Sequence, residues 1–488
     1  MIQEPLTEVP ASQAPLSRQE RLIICCVSLA AFTFQFEAFV INVALPSMAI
    51  ELHASSTEIS FAVLSYLLAT TITLVPAGKL GDRFGLRRTF LAGCALATIG
   101  TLFSGLSTEL YMLLVCRFLQ GLGIGTIVAN AYAMVPLWIS KQHTGRSYGL
   151  LSLGAGVGMV AGLPVGGVLS YALSWHWVFL STTPIFLGLL WLGWKVLPRE
   201  HPNLNLHAKL DWIGLLTFGL MLSCAVLTVS LGGELGWGST PIVFLFSLTL
   251  ILTLALVARK NTKPSLFSPE IFSISGLIPG LSVLFIYALA VGGVRFLLPF
   301  YLQLSCGLTA WVSSILLLAY PLSFAPTGAW AGNQADRIGS RKLVTGACML
   351  VALLCGVFAW KFEQLGIWFF ILFLLGFGFA NGMFFAPNNR MCMLNVAHVL
   401  KGEVSALLPV AINMGTLIGV SVFESVFSFH IPDGEMLIRD YTHPSETVLD
   451  FINHGLTDAF GLAALMMLSA AVLALLTYQS IPKGSNNQ

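Results

Sequence analysis

Charge is what this chain has least of. Only 9% of its 488 residues are Asp, Glu, Lys or Arg, against roughly a quarter in a soluble domain, and a soluble fold is excluded on that ground. Further absences narrow the function. No G-x-x-x-x-G-K-[ST] stretch occurs, so there is no P-loop ATP site. The nine cysteines are scattered, mostly inside apolar runs, without the loop-borne spacing of a disulfide framework. No histidine lies deep in an apolar run, and His430, His443 and His454, around the longest loop, are too far apart to suggest a metal site. A membrane-embedded enzyme would need His, Asp or Glu clustered at ligand or acid–base spacing within the spans, and none is so placed. No metal, cofactor or nucleic acid is expected.

What the chain has in quantity is apolar length. A membrane span takes about 20 mostly apolar residues, and fourteen such runs follow one another, from Leu22–Pro46 to Leu456–Ser480. Spans this long must be helices, because only a helix satisfies its own backbone in hydrocarbon. The fold class is therefore an all-α polytopic membrane protein. The first run is too long for a signal-peptide core and reads as a retained helix.

The scarce bases are unevenly placed. With the N-terminus inside, Lys361 and Arg439 fall outside, Arg117 and Arg295 lie within spans, and the rest of the 24 Lys and Arg residues face the cytoplasm. Cytoplasmic loops collect such residues, so both termini are expected there, in a cell inner membrane.

The densest charge occurs twice. GKLGDRFGLRR, Gly78 to Arg88, recurs as GNQADRIGSRK, Gly332 to Lys342. Gly78, Asp82, Arg83, Gly85, Arg87 and Arg88 align without a gap on Gly332, Asp336, Arg337, Gly339, Arg341 and Lys342. If the two knots are equivalent points, six helices belong to each repeat and two are inserted between them. Residues 1–197 form the first half, 198–263 the inserted pair with its linkers, and 264–488 the second half. Paired six-helix halves holding a substrate between them are a transporter architecture.

Each knot has a physical reading. Asp82 or Asp336 at the membrane edge can pair with arginines or face the positive N-terminus of a neighbouring helix, which would latch the cytoplasmic side; the plainer alternative is that the arginines only enforce topology. Gly154, Gly158, Gly162 and Gly166 recur at four-residue steps, a face that lets another helix approach closely, with Pro164 as a point of bending. Four charges stand clear of the span boundaries: Glu37, Arg117, Arg295 and Glu424. Each costs about 2.5–3.5 kcal/mol at mid-helix on insertion scales. They are expected either as two structural pairs, Glu37 with Arg117 and Arg295 with Glu424, or as a proton- and substrate-binding set. Glu37 leads, because among Phe34, Phe36, Phe39 and Val40 it loses the hydration that supports a charged carboxylate.

These stretches resemble the major facilitator superfamily, and more closely its fourteen-helix drug:proton antiporter branch. GKLGDRFGLRR resembles the family's loop between helices two and three. FEAFVINVALP, Phe36 to Pro46, is similar to the branch's helix-one motif, with Glu37 where Asp is usual and Phe39 for Thr. RFLQGLGIG, Arg117 to Gly125, matches the helix-four motif, and GMVAGLPVGG, Gly158 to Gly167, the antiporter motif of helix five, with Leu163 and Pro164 shifting the usual proline by one. The resemblance implies a latch that forms between the halves when the protein faces outward, and helix-five movement about Gly158, Gly162, Pro164, Gly166 and Gly167 associated with export. The expected function is proton-coupled export of a small amphipathic organic compound. It would be powered by the proton gradient and carried out by a monomer in the bilayer, with room for accessory export partners. The alternatives are an anionic or zwitterionic metabolite or siderophore as substrate, and uptake instead of export.

Overall fold

The computed structural model describes residues 16–140, 143–199, 211–259, 269–361, 366–393, 396, 400–430 and 446–477. Every described element is helical. The first half comprises α1 (Arg18–Val40), α2 (Ser56–Phe84), α3 (Leu86–Ser104), α4 (Leu110–Trp138), α5 (Thr144–Ala172) and α6 (His176–Val196). The inserted pair is α7 (Trp212–Leu235) and α8 (Thr240–Ala258). The second half comprises α9 (Leu277–Phe300), α10 (Ala310–Leu317, continued by Ala319–Ile338), α11 (Ser340–Lys361), α12 (Ile367–Met393), α13 (Lys401–Ser428) and α14 (Glu446–Thr477). Thirteen of these are long and apolar enough to cross a membrane. The remaining one, α3, carries Arg87 and Arg88 in its first turn, which lowers its apolarity, yet it packs along α4 and α6 like its neighbours.

Some boundaries differ from the sequence reading. The first apolar run does not stay helical to Pro46: α1 stops at Val40, and Pro46 sits in the first turn of a separate short helix, Leu45–Glu51, where proline's missing N–H costs nothing. α9 begins at Leu277 rather than near Ile271, which lies in a 3-10 turn ahead of the left-handed Gly276 (φ 84°). α14 begins at Glu446, ten residues before its apolar run, so Asp450 and His454 ride on helix.

The two halves repeat one packing scheme. α1 lies on α5, α2 on α4, and α3 on both α4 and α6; in the second half α9 lies on α13, α10 on α12, and α11 on both α12 and α14. Glycine makes the closest of these contacts possible. A Cβ added at Gly154, Gly158, Gly162 or Gly166 would run into the carbonyl oxygen of Ser28, Phe32, Phe36 or Val40 respectively, so the two helices lie backbone to backbone in step. Gly415 and Gly419 stand in the same way against Phe285 and Leu289. α5 continues through Pro164 without a break.

Each knot joins two helices at a glycine. Gly85 (φ 97°) separates α2 from α3, and Gly339 (φ 85°) separates α10 from α11, a conformation that L side chains rarely adopt. One arginine of each knot has a role the sequence did not reveal. Arg87 Nη2 donates to the Trp194 carbonyl at 2.7 Å in the last turn of α6, and Arg341 Nη2 to the Leu475 carbonyl at 2.7 Å in the last turn of α14. Each closes the sixth helix of its half, where carbonyls lack partners and a cation suits the helix dipole. Arg83 lies over the Phe84 ring at 5.3 Å and Arg337 is exposed. The side chains of Asp82 and Asp336, on which the latch expectation rests, lie outside the described residues.

The knots mark one end of the bundle, the knot end; α1 and α9 run away from it, α2 and α10 toward it. Several contacts joining the halves lie toward the opposite, far end. Gln303 Nε2 donates to the Val43 carbonyl at 3.0 Å, Gly167 abuts Ser314 of α10, and Glu424 of α13 meets the start of α2. The inserted pair flanks this last crossing: α7 packs on α2 and α13, and Ser425 Oγ donates to the Val229 carbonyl at 2.8 Å. Asp211 holds the pair together, accepting from the Gly214 N–H at 2.8 Å and from Arg259 Nη2 at 2.8 Å.

Candidate functional site

α1 carries Glu37 near its far end, and α4 carries Arg117 in its second turn from that end, so opposite charges arrive at one depth from antiparallel helices. They meet: Arg117 Nη1 donates to Glu37 Oε1 at 3.0 Å, with both side chains about 1% exposed. The guanidinium is held on all sides. Its Nε donates to the Ala62 carbonyl at 3.0 Å and its Nη1 to Gln120 Oε1 at 2.6 Å, while Gln120 Nε2 donates to Thr101 Oγ1 at 2.7 Å. Its Cζ stands 4.2 Å from the Tyr66 ring centroid and 5.7 Å from that of Phe179, and the buried Trp175 meets Phe179 edge-on. The Glu37 carboxylate also lies against Gln120 and Thr182. A pair taken this far from water persists because each charge needs the other.

Arg295 and Glu424 are not paired; this corrects the expectation drawn from their similar depth. Each turns instead toward the first half. Glu424 is fully buried and accepts from Ser56 Oγ at 3.2 Å and Thr57 Oγ1 at 2.9 Å. Those residues open α2, where N–H groups lack helical partners and a carboxylate is favoured. Arg295, half-buried on α9, places its Cζ 4.5 Å from the Phe39 ring centroid and 5.8 Å from that of Tyr320. Phe39 and Tyr320 stack across the two halves at 6.3 Å, and Tyr320 stacks on Phe324 at 6.0 Å.

The sequence reading missed both tyrosines, though a signal was present. Tyr66 and Tyr320 are separated by the same interval as Gly78 and Gly332. Gly121 and Gly125 press on the carbonyls of Tyr66 and Thr70 as Gly378 and Gly382 press on those of Tyr320 and Phe324. Each tyrosine lies ten residues into its helix, about 15 Å from the far end, and each faces an arginine.

Known proteins share this plan. Residues 27–420 match the Major Facilitator Superfamily. The riboflavin transporter RibZ of Clostridioides difficile is 26% identical over 417 residues, which span 84% of this chain and 89% of that one. A putative multidrug resistance protein MdtD of Citrobacter koseri is 28% identical over 425 residues, 86% of this chain and 87% of its own. Among solved structures, the POT family transporter PepTSo superposes with a TM-score of 0.65 at 14% identity, covering 95% of this chain and 99% of its own. The nucleoside transporter NupG gives 0.64 at 12%, covering 93% and 100%. At those identities the structural likeness is one of fold. With two repeated six-helix halves, an inserted pair and a family match across most of its length, the chain belongs to the major facilitator superfamily.

Proposed function

We propose that this protein is a proton-coupled secondary active transporter that exports a small amphipathic organic compound across the inner membrane. The buried Glu37–Arg117 pair carries the reading. A desolvated carboxylate resists ionisation and a nearby guanidinium favours it, so the proton affinity of Glu37 follows its distance from Arg117. A rocking motion that alters that distance exchanges a proton for each passage. One proton entering from outside would neutralise Glu37, and its release inside would restore the pair.

The excess of bases assigns the knot end to the cytoplasm. The far-end contacts would then lie on the outer side, an arrangement that suits loading of a cytoplasmic compound. Relatives named for multidrug resistance favour export, as does the glycine face of α5. Asp82 and Asp336 are proposed, on their sequence setting, as the cytoplasmic latch that forms when the protein opens outward.

The test uses vesicles reconstituted with the full chain and an imposed pH gradient, with a compound first identified by binding to the purified protein. Glu37→Gln is expected to keep binding and lose uphill transport; Glu37→Asp is expected to keep both. Undiminished gradient-driven transport by Glu37→Gln would overturn the assignment.

A further inference from the structure

The two halves present one motif, a tyrosine beneath an arginine, and complete it differently. Over Tyr66, Arg117 is neutralised by Glu37 and bonded to Ala62 and Gln120. Over Tyr320, Arg295 has no carboxylate within ion-pair distance among the described residues. Its Nε is buried without a hydrogen-bond partner. The acid of its own half at comparable depth, Glu424, is engaged at the start of α2. A charge inside a span normally finds an opposite charge or marks a substrate path; here Arg295 meets the Phe39 ring and the ring and hydroxyl of Tyr320, and no carboxylate among the described residues.

Those rings lie close to parallel. Phe39 and Tyr320 stack with their rings 18° apart, and Tyr320 and Phe324 with theirs 16° apart, while Phe385 meets Phe324 edge-on. Phe39 belongs to the first half and the others to the second, so the wall runs across the division between them. Arg295 stays half-buried although rings from both halves flank it. Parallel rings beside a planar, forked cation suit a flat ligand that carries an acid: stacking engages the rings, and the guanidinium's parallel donors fit a carboxylate or sulfonate.

We infer that Arg295, with Phe39, Tyr320 and Phe324, is the substrate subsite and selects a planar aromatic anion. The inference rests on the transporter reading above and adds the ligand's shape and charge. Because Phe39 sits across from Arg295 and Tyr320, rocking the halves apart divides the subsite and releases the ligand. The competing role is a structural plug, in which the stacked cation only ties the halves together.

A matched pair of probes separates these roles: anthracene-9-carboxylate and 9-(aminomethyl)anthracene share one ring system and carry opposite charge. Binding to the purified full-length protein is read by anthracene fluorescence, without any gradient. The native protein is expected to bind the carboxylate at least about tenfold more tightly than the amine, as a charge-assisted bond at a buried site gives. Arg295→Gln is expected to erase that preference, and Arg295→Lys to restore part of it. Equal binding of the two probes by the native protein, binding of neither, or a preference that survives Arg295→Gln overturns the inference, and the first two need no variant that folds. Proton coupling is judged separately: charge-selective binding without gradient-driven transport would sink the function proposed above and leave the subsite standing.

Discussion

Tyr66 and Tyr320 occupy equivalent places in the two halves, yet one environment is closed and the other open. Around Tyr66 every charge is matched: Glu37 answers Arg117, and the surrounding donors and acceptors leave the pair 0–1% exposed. Around Tyr320 the cation meets two rings and the Tyr320 hydroxyl, with no carboxylate among the described residues, and keeps part of its surface. A doubled fold does not double its chemistry. The repeat supplies two similar scaffolds, and a few substitutions leave one with a buried charge pair and the other with a half-buried cation. The outer crossings differ similarly. Gly167 lets α5 touch Ser314 of α10 directly, whereas between α13 and α2 the Glu424 side chain fills the gap.

The largest expected effect tests the closed environment against the open one. Arg117→Leu should lower stability by about 3–5 kcal/mol, since it strands a buried carboxylate, and adding Glu37→Leu should recover much of the loss. Arg295→Leu should cost about 1 kcal/mol or less, the worth of a partly exposed cation–π contact. Thermal unfolding of the purified variants reads all three, and equal losses at Arg117 and Arg295 would erase the contrast.

Next come the crossings. Glu424→Ala should cost about 1.5–3 kcal/mol through the hydroxyl bonds to a buried carboxylate. A cycle with Thr57→Ala should be clearly non-additive, and additive losses would show that the crossing is held by something else. For the glycine face, Gly158→Leu should cost about 1–3 kcal/mol by overpacking against Phe32. Gly156→Leu, where an added Cβ meets nothing within 4 Å, should stay within about 0.5 kcal/mol. If Gly156 proves equally sensitive, close approach of α1 is not the reason for the pattern.

The smallest effects should also be the most alike. Arg87→Ala and Arg341→Ala each uncap the end of a sixth helix, and each should cost about 0.3–1 kcal/mol. A large inequality between them would mean that one arginine does more than close its helix.

Much of the architecture was legible because it depends on local pattern. Apolar run length marks a helix that must satisfy its own backbone, and the recurrence of Gly78–Arg88 at Gly332–Lys342 betrays the doubling. Four-residue glycine spacing marks a close helix contact without naming its partner; that the partner is α1, in step from Ser28 to Val40, is a tertiary fact. Helix ends were less legible. The stop at Val40 and the early start at Glu446 fall where composition changes gradually and side-chain packing decides.

The sequence by itself determined that this is a membrane protein of two related six-helix halves with an inserted pair, and that four charges lie embedded in it, because length, composition and repetition are properties of the chain taken in order. Only the tertiary structure decided which charges meet. Depth along a helix can be counted from the sequence, but a side chain's direction depends on the rotation of the helix about its axis and on how closely its neighbours approach. Glu37 and Arg117 therefore face each other, while Arg295 and Glu424, at comparable depth, turn to an aromatic wall and to the start of α2.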